Sequence, residues 1–266
     1  MLKSISNIAW EQKDEEWVIS KLLESGWNAV EVAPSRIWKD FRMIPRQQRI
    51  DYRKLIEEQG VHICSMHSLF WGVKEVHLFG SVLEQKNLVQ YLKELVDLAV
   101  DLHSRVMVFG SPTVRDRKDY GYAEALSIAS KVLYEPAEYA EDNGVKILIE
   151  PLTLKETNFI HTHYEAMELI EAVDSEGFGL HLDAKAVAEE EMEILEVISA
   201  CKGRIEHFHI NDPGLKEIGT EADYHSDFGR ALKKIEYKQY VSIEMRQFED
   251  YRASISKSIR CVEERY

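Results

Sequence analysis

The chain has 266 residues, 45% of them hydrophobic and 30% charged, with a formal net charge of −14. Those proportions belong to a globule with ample apolar side chains for a core. The acidic balance argues against an extensive nucleic-acid partner, whose affinity rests on lysine and arginine facing phosphates, although one local arginine would suffice for a small anion.

Cys64, Cys201 and Cys261 are odd in number and widely spaced, with no CxxC pair. No disulfide framework is expected, and a reducing cytoplasm is the natural setting. The opening MLKSISNIAW lacks the apolar stretch of a secretory signal, and no run approaches the ~18 apolar residues of a membrane span. The expectation is a soluble cytoplasmic protein with neither membrane nor nucleic acid as partner; a homo-oligomer is allowed.

Strand-like and helix-like patterns alternate from the start. Short apolar runs read as strands at 4–9, 29–33, 62–67, 105–109, 146–150, 179–183, 206–210 and 241–244. Helical patterns fall near 14–25, 46–59, 82–102, 121–143, 162–174, 186–200, 227–236 and 250–264. In the third helix Leu88, Leu92, Leu95, Val96 and Ala99 mark one face. Gly60 and the pair Asn143-Gly144 sit where helices should stop before a strand. The glutamates at 189–191, with Glu193 and Glu196, interleave with Met192, Leu195 and Ile198, which predicts the solvated face of an amphipathic helix.

Eight β/α pairs predict a single (β/α)₈ TIM barrel over residues 1–266. An open doubly wound sheet shares the alternation, but no GxGxxG or Walker A pattern is present to support its nucleotide-binding form.

Four donors fall at the ends of the last four runs: Glu150 in KILIEP, Asp183 in GLHLDA, His209 in EHFHIND and Glu244 in YVSIEM. In a parallel barrel the C-terminal strand ends converge on one mouth, where such folds carry their chemistry. Three carboxylates and an imidazole suit Mn²⁺ or Mg²⁺, with Zn²⁺ or Co²⁺ also compatible. Such an ion polarises a carbonyl, and a nearby carboxylate can remove the adjacent proton. Strand alternation places His181 and His207 one layer below, and Ser242 below Glu244; these either orient the ligands or are satisfied interior polar groups. Trp10, Phe70 and Trp71 follow strands one and three, as mouth walls or as packing residues. Arg36 and Arg246 also follow strand ends, as anion binders or surface ion-pair partners.

These residues resemble the xylose isomerase-like TIM barrels, closest to the ketose 3-epimerase and hydroxypyruvate isomerase branch. The resemblance runs from NIAW to SIEM and rests on the glutamate of IEP, the aspartate of LD, the histidine of an HxxD-like run and the glutamate of the final IE. It implies that Glu150, Asp183, His209 and Glu244 bind a divalent metal, with Glu150 and Glu244 also the catalytic acid/base pair on opposite faces of a sugar. It implies substrate contacts from Glu156, six residues after Glu150, and from His67, which closes CSMH. Family members commonly carry a histidine three residues after the aspartate and an arginine six after the histidine; here Ala186 and Leu215 stand there. HIND, with Asp223 and His225, also resembles endonuclease IV, against which Ala186 and the net charge stand.

The expected function is a metal-dependent isomerase or epimerase acting on a small sugar or hydroxy-keto acid through a cis-enediolate. The alternative is a dehydratase of the inosose or dehydroshikimate type; a non-catalytic sugar-binding barrel and an endonuclease IV-like repair enzyme stand behind it.

Overall fold

The computed structural model describes residues 1–190, 192–221 and 223–266. Eight parallel strands close on themselves in chain order: β1 (Leu2–Ser6), β2 (Ala29–Val32), β3 (His62–Met66), β4 (Val106–Phe109), β5 (Lys146–Ile149), β6 (Phe178–Asp183), β7 (Ile205–Ile210) and β8 (Tyr240–Ile243). β8 returns to β1 with Ile5 opposite Ile243, so no edge is left open. Around them pack α1 (Glu15–Glu24), α2 (Arg46–Glu58), α3 (Val82–Asp101), α4 (Tyr122–Asp142), α5 (His163–Val173), α6 (Ala184–Ala188), α7 (Ile194–Ala200), α8 (His225–Lys234) and α9 (Tyr251–Arg265). The expected barrel is thus present, and no helix among the described residues is long and apolar enough to cross a membrane.

The outer core lies between sheet and helices. Leu88, Leu92, Leu95, Val96 and Ala99 of α3 are fully buried, as their spacing predicts. Gly60 and Gly144, two residues past the ends of α2 and α4, take φ of +89° and +69°, a left-handed conformation in which glycine avoids the Cβ penalty.

Three expectations need correction. The first strand does not run over 4–9: after Ser6 the chain turns into a short 3₁₀ segment, Asn7–Ala9, because the Ser6 hydroxyl accepts from the Ile8 N–H and starts the turn. The helix expected over 186–200 is two, α6 and α7, separated by a break that contains most of the glutamate run. Glu190 is not on a solvated face. Its carboxylate accepts from the His163 backbone N–H at 3.0 Å and faces His163 Nδ1 at 2.6 Å, with the side chain 5% exposed. It serves the first turn of α5, where unpaired N–H groups favour an acid. Leu195 is exposed rather than core-facing, and Glu191 lies outside the described residues.

Candidate metal centre at the barrel mouth

Neighbouring strands carry the four donors to one place. Asp183 closes β6, and register sets it opposite His209 of β7, which in turn faces Ser242 of β8. Glu150 and Glu244 stand one residue beyond β5 and β8. Donor atoms of Glu150, Asp183 and His209 all lie within 4.8 Å of one another. His209 Nδ1 is 3.5 Å from Glu244 Oε2 and 3.8 Å from Glu150 Oε1. Asn211, two residues past His209, joins the set by donating through Nδ2 to Asp183 Oδ2 and, at 3.0 Å, to Glu244 Oε2. Gly110, just past β4, leaves room for this cluster: a Cβ there would collide with Glu150 Oε2.

Beneath the donors sits Glu31 of β2, fully buried, which pattern reading passed over. It accepts from Ser65 Oγ (2.9 Å) and Ser242 Oγ (3.1 Å) and binds Nε2 of His207 (2.9 Å) and of His209 (3.0 Å). Burial opposes its charge, but His209, His67 and His207 hold its carboxyl well below the usual carboxylate range. An ionised carboxylate only accepts, so a proton of His209 faces it on Nε2. Burial opposes the ring's charge, but Glu31, Glu244 and Glu150 hold the imidazole well above the usual histidine range. A metal would take the place of the proton on Nδ1, the nitrogen turned to the mouth carboxylates. The signal in the sequence was a lone charge inside the four-residue strand AVEV.

That geometry tests the fit of a metal. His209 Nδ1 is buried with no hydrogen-bond partner among the described residues, while its other nitrogen is anchored by a carboxylate, an arrangement that presents an imidazole as a ligand. Burial and the neighbouring Glu150 push the Asp183 carboxyl up to about 7, with Glu244 adding to the crowding. Burial works the same way on Glu244, yet His209 and His67 bring it down to about 2. Crowded carboxylates around an unpartnered nitrogen are what a divalent cation relieves. Because Asp183 and His209 Nδ1 must both lose a proton to bind one, metal affinity is expected to rise with pH, by roughly tenfold or more from about pH 6 to about pH 8. Mn²⁺ titration by calorimetry at the two pH values checks this; a flat profile removes Asp183 from the donor set.

The residues expected as a supporting layer divide. His207 and Ser242 act through Glu31, as described. His181 is not a satisfied polar group: fully buried, it has no hydrogen-bond partner among the described residues for either ring nitrogen, and its Nε2 lies 3.7 Å from Glu150 Oε1. Arg115, also passed over, is fully buried after β4 and donates through Nη2 to the Glu150 carbonyl at 2.6 Å. Burial lowers its pKa to about 10, against the pull of Glu150, Glu156 and Glu165.

Above the donors opens a cavity of about 360 Å³. His67 and Glu156 both line it, with Phe70, Trp71, Lys185 and Leu215. His67 Nε2 pairs with Ser6 Oγ at 2.5 Å, and its Nδ1 lies 3.4 Å from Glu244 Oε1. Phe70 is buried against Tyr91 and Phe109, so it is packing and wall together, while Trp71 is 79% exposed at the rim. Trp10 is buried outside the cavity lining, and its carbonyl accepts from Arg36. Arg246 stacks over Phe248. His225 does not pair with Asp223: its Nε2 meets Asp212 Oδ1 at 2.6 Å and its Nδ1 the Tyr266 hydroxyl at 2.9 Å, so the buried ring ties α8 to the β7 loop.

The model of the xylose isomerase-like TIM barrel family matches residues 19–265. The chain belongs to that family. An L-ribulose 3-epimerase from Methylomonas sp. (strain DH-1) is 30% identical over 108 residues, 41% of this chain and 38% of that protein. The chain spans less than half the length of the curated relatives it matches. A D-psicose 3-epimerase from Clostridium cellulolyticum H10, crystallised with D-tagatose, has the same fold (TM-score 0.77, 21% identity, 97% of this chain and 90% of that one). So does the IolI protein, solved with a binding zinc atom (TM-score 0.75, 18% identity, 99% of this chain and 96% of that one). Within the xylose isomerase-like family, the mouth of this barrel is the candidate site.

Proposed function

We propose that the chain is a divalent-metal-dependent epimerase or isomerase of small sugars or hydroxy-keto acids. Glu150, Asp183, His209 and Glu244 would hold the ion, Mn²⁺ or Mg²⁺ first, with Zn²⁺ or Co²⁺ also suited to the donors. The observation that carries the reading is the buried His209 Nδ1, without a hydrogen-bond partner among the described residues and 3.5 Å from Glu244 and 3.8 Å from Glu150. A bound dication would polarise a substrate carbonyl and stabilise the negative charge that builds on its oxygen.

The chain's own groups supply the rest. Glu150 and Glu244 both approach His209 Nδ1, at 3.8 and 3.5 Å, and in this reading one removes the proton from the carbon beside the carbonyl and the other returns it. Return on the opposite face inverts that carbon; a single carboxylate shuttling the proton to the neighbouring carbon gives aldose–ketose isomerisation. Phe70 and Leu215 give the cavity an apolar wall that limits water near the enediolate. His67 and Glu156 are the expected substrate contacts. The three cysteines are free and buried, which fits a reducing cytoplasm.

The test is exchange of substrate C–H protons in D₂O across ketoses and keto acids with added Mn²⁺. Exchange at one carbon beside the carbonyl, abolished by a chelator and restored by the ion, is expected. A dehydratase would instead accumulate a conjugated enone absorbing in the ultraviolet, and an absence of both exchange and enone ends the enzymatic reading.

A further inference from the structure

Among the described residues lining the cavity, Lys185 is the one lysine or arginine, and it is held in place from two sides. It lies at the start of α6, two residues after Asp183. Its backbone N–H donates to Asn211 Oδ1 at 3.1 Å, the amide that also bridges Asp183 and Glu244. Its ammonium donates to Glu156 Oε1 at 2.7 Å, with the side chain 15% exposed. Glu156 is fixed in turn, since Oε2 accepts from the Thr153 hydroxyl at 3.0 Å and the Thr153 N–H at 3.3 Å. The pair is therefore pinned from the β5–α5 loop on one side and from α6 on the other.

An ammonium has three donors, and among the described residues only Glu156 accepts from this one. Two donors remain for whatever fills the cavity, beside a carboxylate oxygen with a free lone pair. A donor next to an acceptor is the complement of a hydroxyl, which both accepts and donates. A carboxylate or phosphate in the same place would gain Lys185 but meet Glu156, with Glu150, Asp183 and Glu244 close by. The rest of the lining combines apolar Phe70, Leu152 and Leu215 with the neutral hydroxyls of Ser68, Ser111 and Thr113, which suit a neutral hydroxylated molecule and give an anion no second cation.

We propose that Lys185 is a specificity-determining residue that, paired with Glu156, reads one hydroxyl of a neutral polyhydroxy ketone. This rests on the isomerase reading above. Lys185 donates to the hydroxyl oxygen, and the hydroxyl donates to Glu156.

The experiment compares kcat and KM of the metal-loaded full chain on a ketose it converts and on the monodeoxy analogues of that ketose. Wild type, Lys185→Met, Lys185→Arg and Glu156→Gln are measured side by side. Wild type is expected to reject one analogue by roughly tenfold or more in kcat/KM, because removing that hydroxyl takes the shared partner from the Lys185 ammonium and from a Glu156 carboxylate whose side chain is 37% exposed. Lys185→Met should lose about tenfold on the full ketose, mainly in KM, and bring that one discrimination below about fivefold, with the other analogues' ratios unchanged. Lys185→Arg should recover part of it, and Glu156→Gln should weaken the same single discrimination. A proportional loss on every analogue would mean that Lys185 only supports the loop, and overturns the proposal; so does unchanged discrimination in Lys185→Met. A wild type that neither converts nor exchanges any ketose overturns the isomerase reading first and this assignment with it.

Discussion

Glutamine at position 150 or 244 is expected to lower turnover by at least ~10²-fold with the barrel intact, in line with removal of an acid/base group. The amide keeps the shape of the carboxylate and its ability to accept a hydrogen bond, but it cannot take a proton at neutral pH. The two variants also differ from each other. Glu244 Oε2 accepts from Asn211 Nδ2 and its Oε1 lies 3.4 Å from His67 Nδ1, whereas Glu150 Oε1 lies 3.7 Å from His181 Nε2 and 3.8 Å from His209 Nδ1. If the two acids act on opposite faces of one carbon, each variant should retain exchange from its surviving carboxylate while net epimerisation is lost. Single-turnover conversion and C–H exchange in D₂O, read together with circular dichroism for the fold, separate these cases. Wild-type rates in both variants would remove the acid/base assignment and leave the four residues as metal ligands only.

The second large effect is expected at Glu31. It is an ionised carboxylate at the barrel's centre, contacted by two hydroxyls and two imidazoles. Glu31→Leu removes one side of a buried charged network and leaves Ser65, Ser242, His207 and His209 without their acceptor. The expected loss is about 3–5 kcal/mol of unfolding free energy, measured by denaturant titration. The pH dependence has a definite sign. The folded-state pKa of Glu31 lies well below its ordinary value, so its contribution is present above about pH 4 and fades as the pH falls toward the folded pKa. The gap between wild type and Glu31→Leu should therefore shrink in acid. Metal affinity should drop as well, by roughly 10–100-fold, because Glu31 fixes which nitrogen of His209 faces upward. A variant as stable as wild type, with unchanged Mn²⁺ binding, would show that the carboxylate is dispensable to both.

Strand ends were legible because they obey local rules. Apolar runs of four to six residues bounded by turn residues gave β5 through β8 to within about a residue, and each ended on or beside a donor. Boundaries failed where a side chain reached outside its own element. Ser6 captured a neighbouring N–H and ended β1 early, and Glu190, apparently one of a row of surface glutamates, turned inward to His163 and split a helix in two. Neither event has a periodicity to betray it.

The amino-acid order alone determined the eightfold β/α alternation and the placing of Glu150, Asp183, His209 and Glu244 at successive strand ends, since alternation along a strand and the direction of a parallel barrel are local properties. Only the closed barrel decided what stands around them. Glu31 meets His207 across 176 residues of chain, Lys185 meets Glu156 across 29, and Arg115 reaches Glu150 across 35. A pattern says which way a side chain leaves its own strand; which group waits on the far side of the barrel depends on strand tilt and register, set by all eight strands at once.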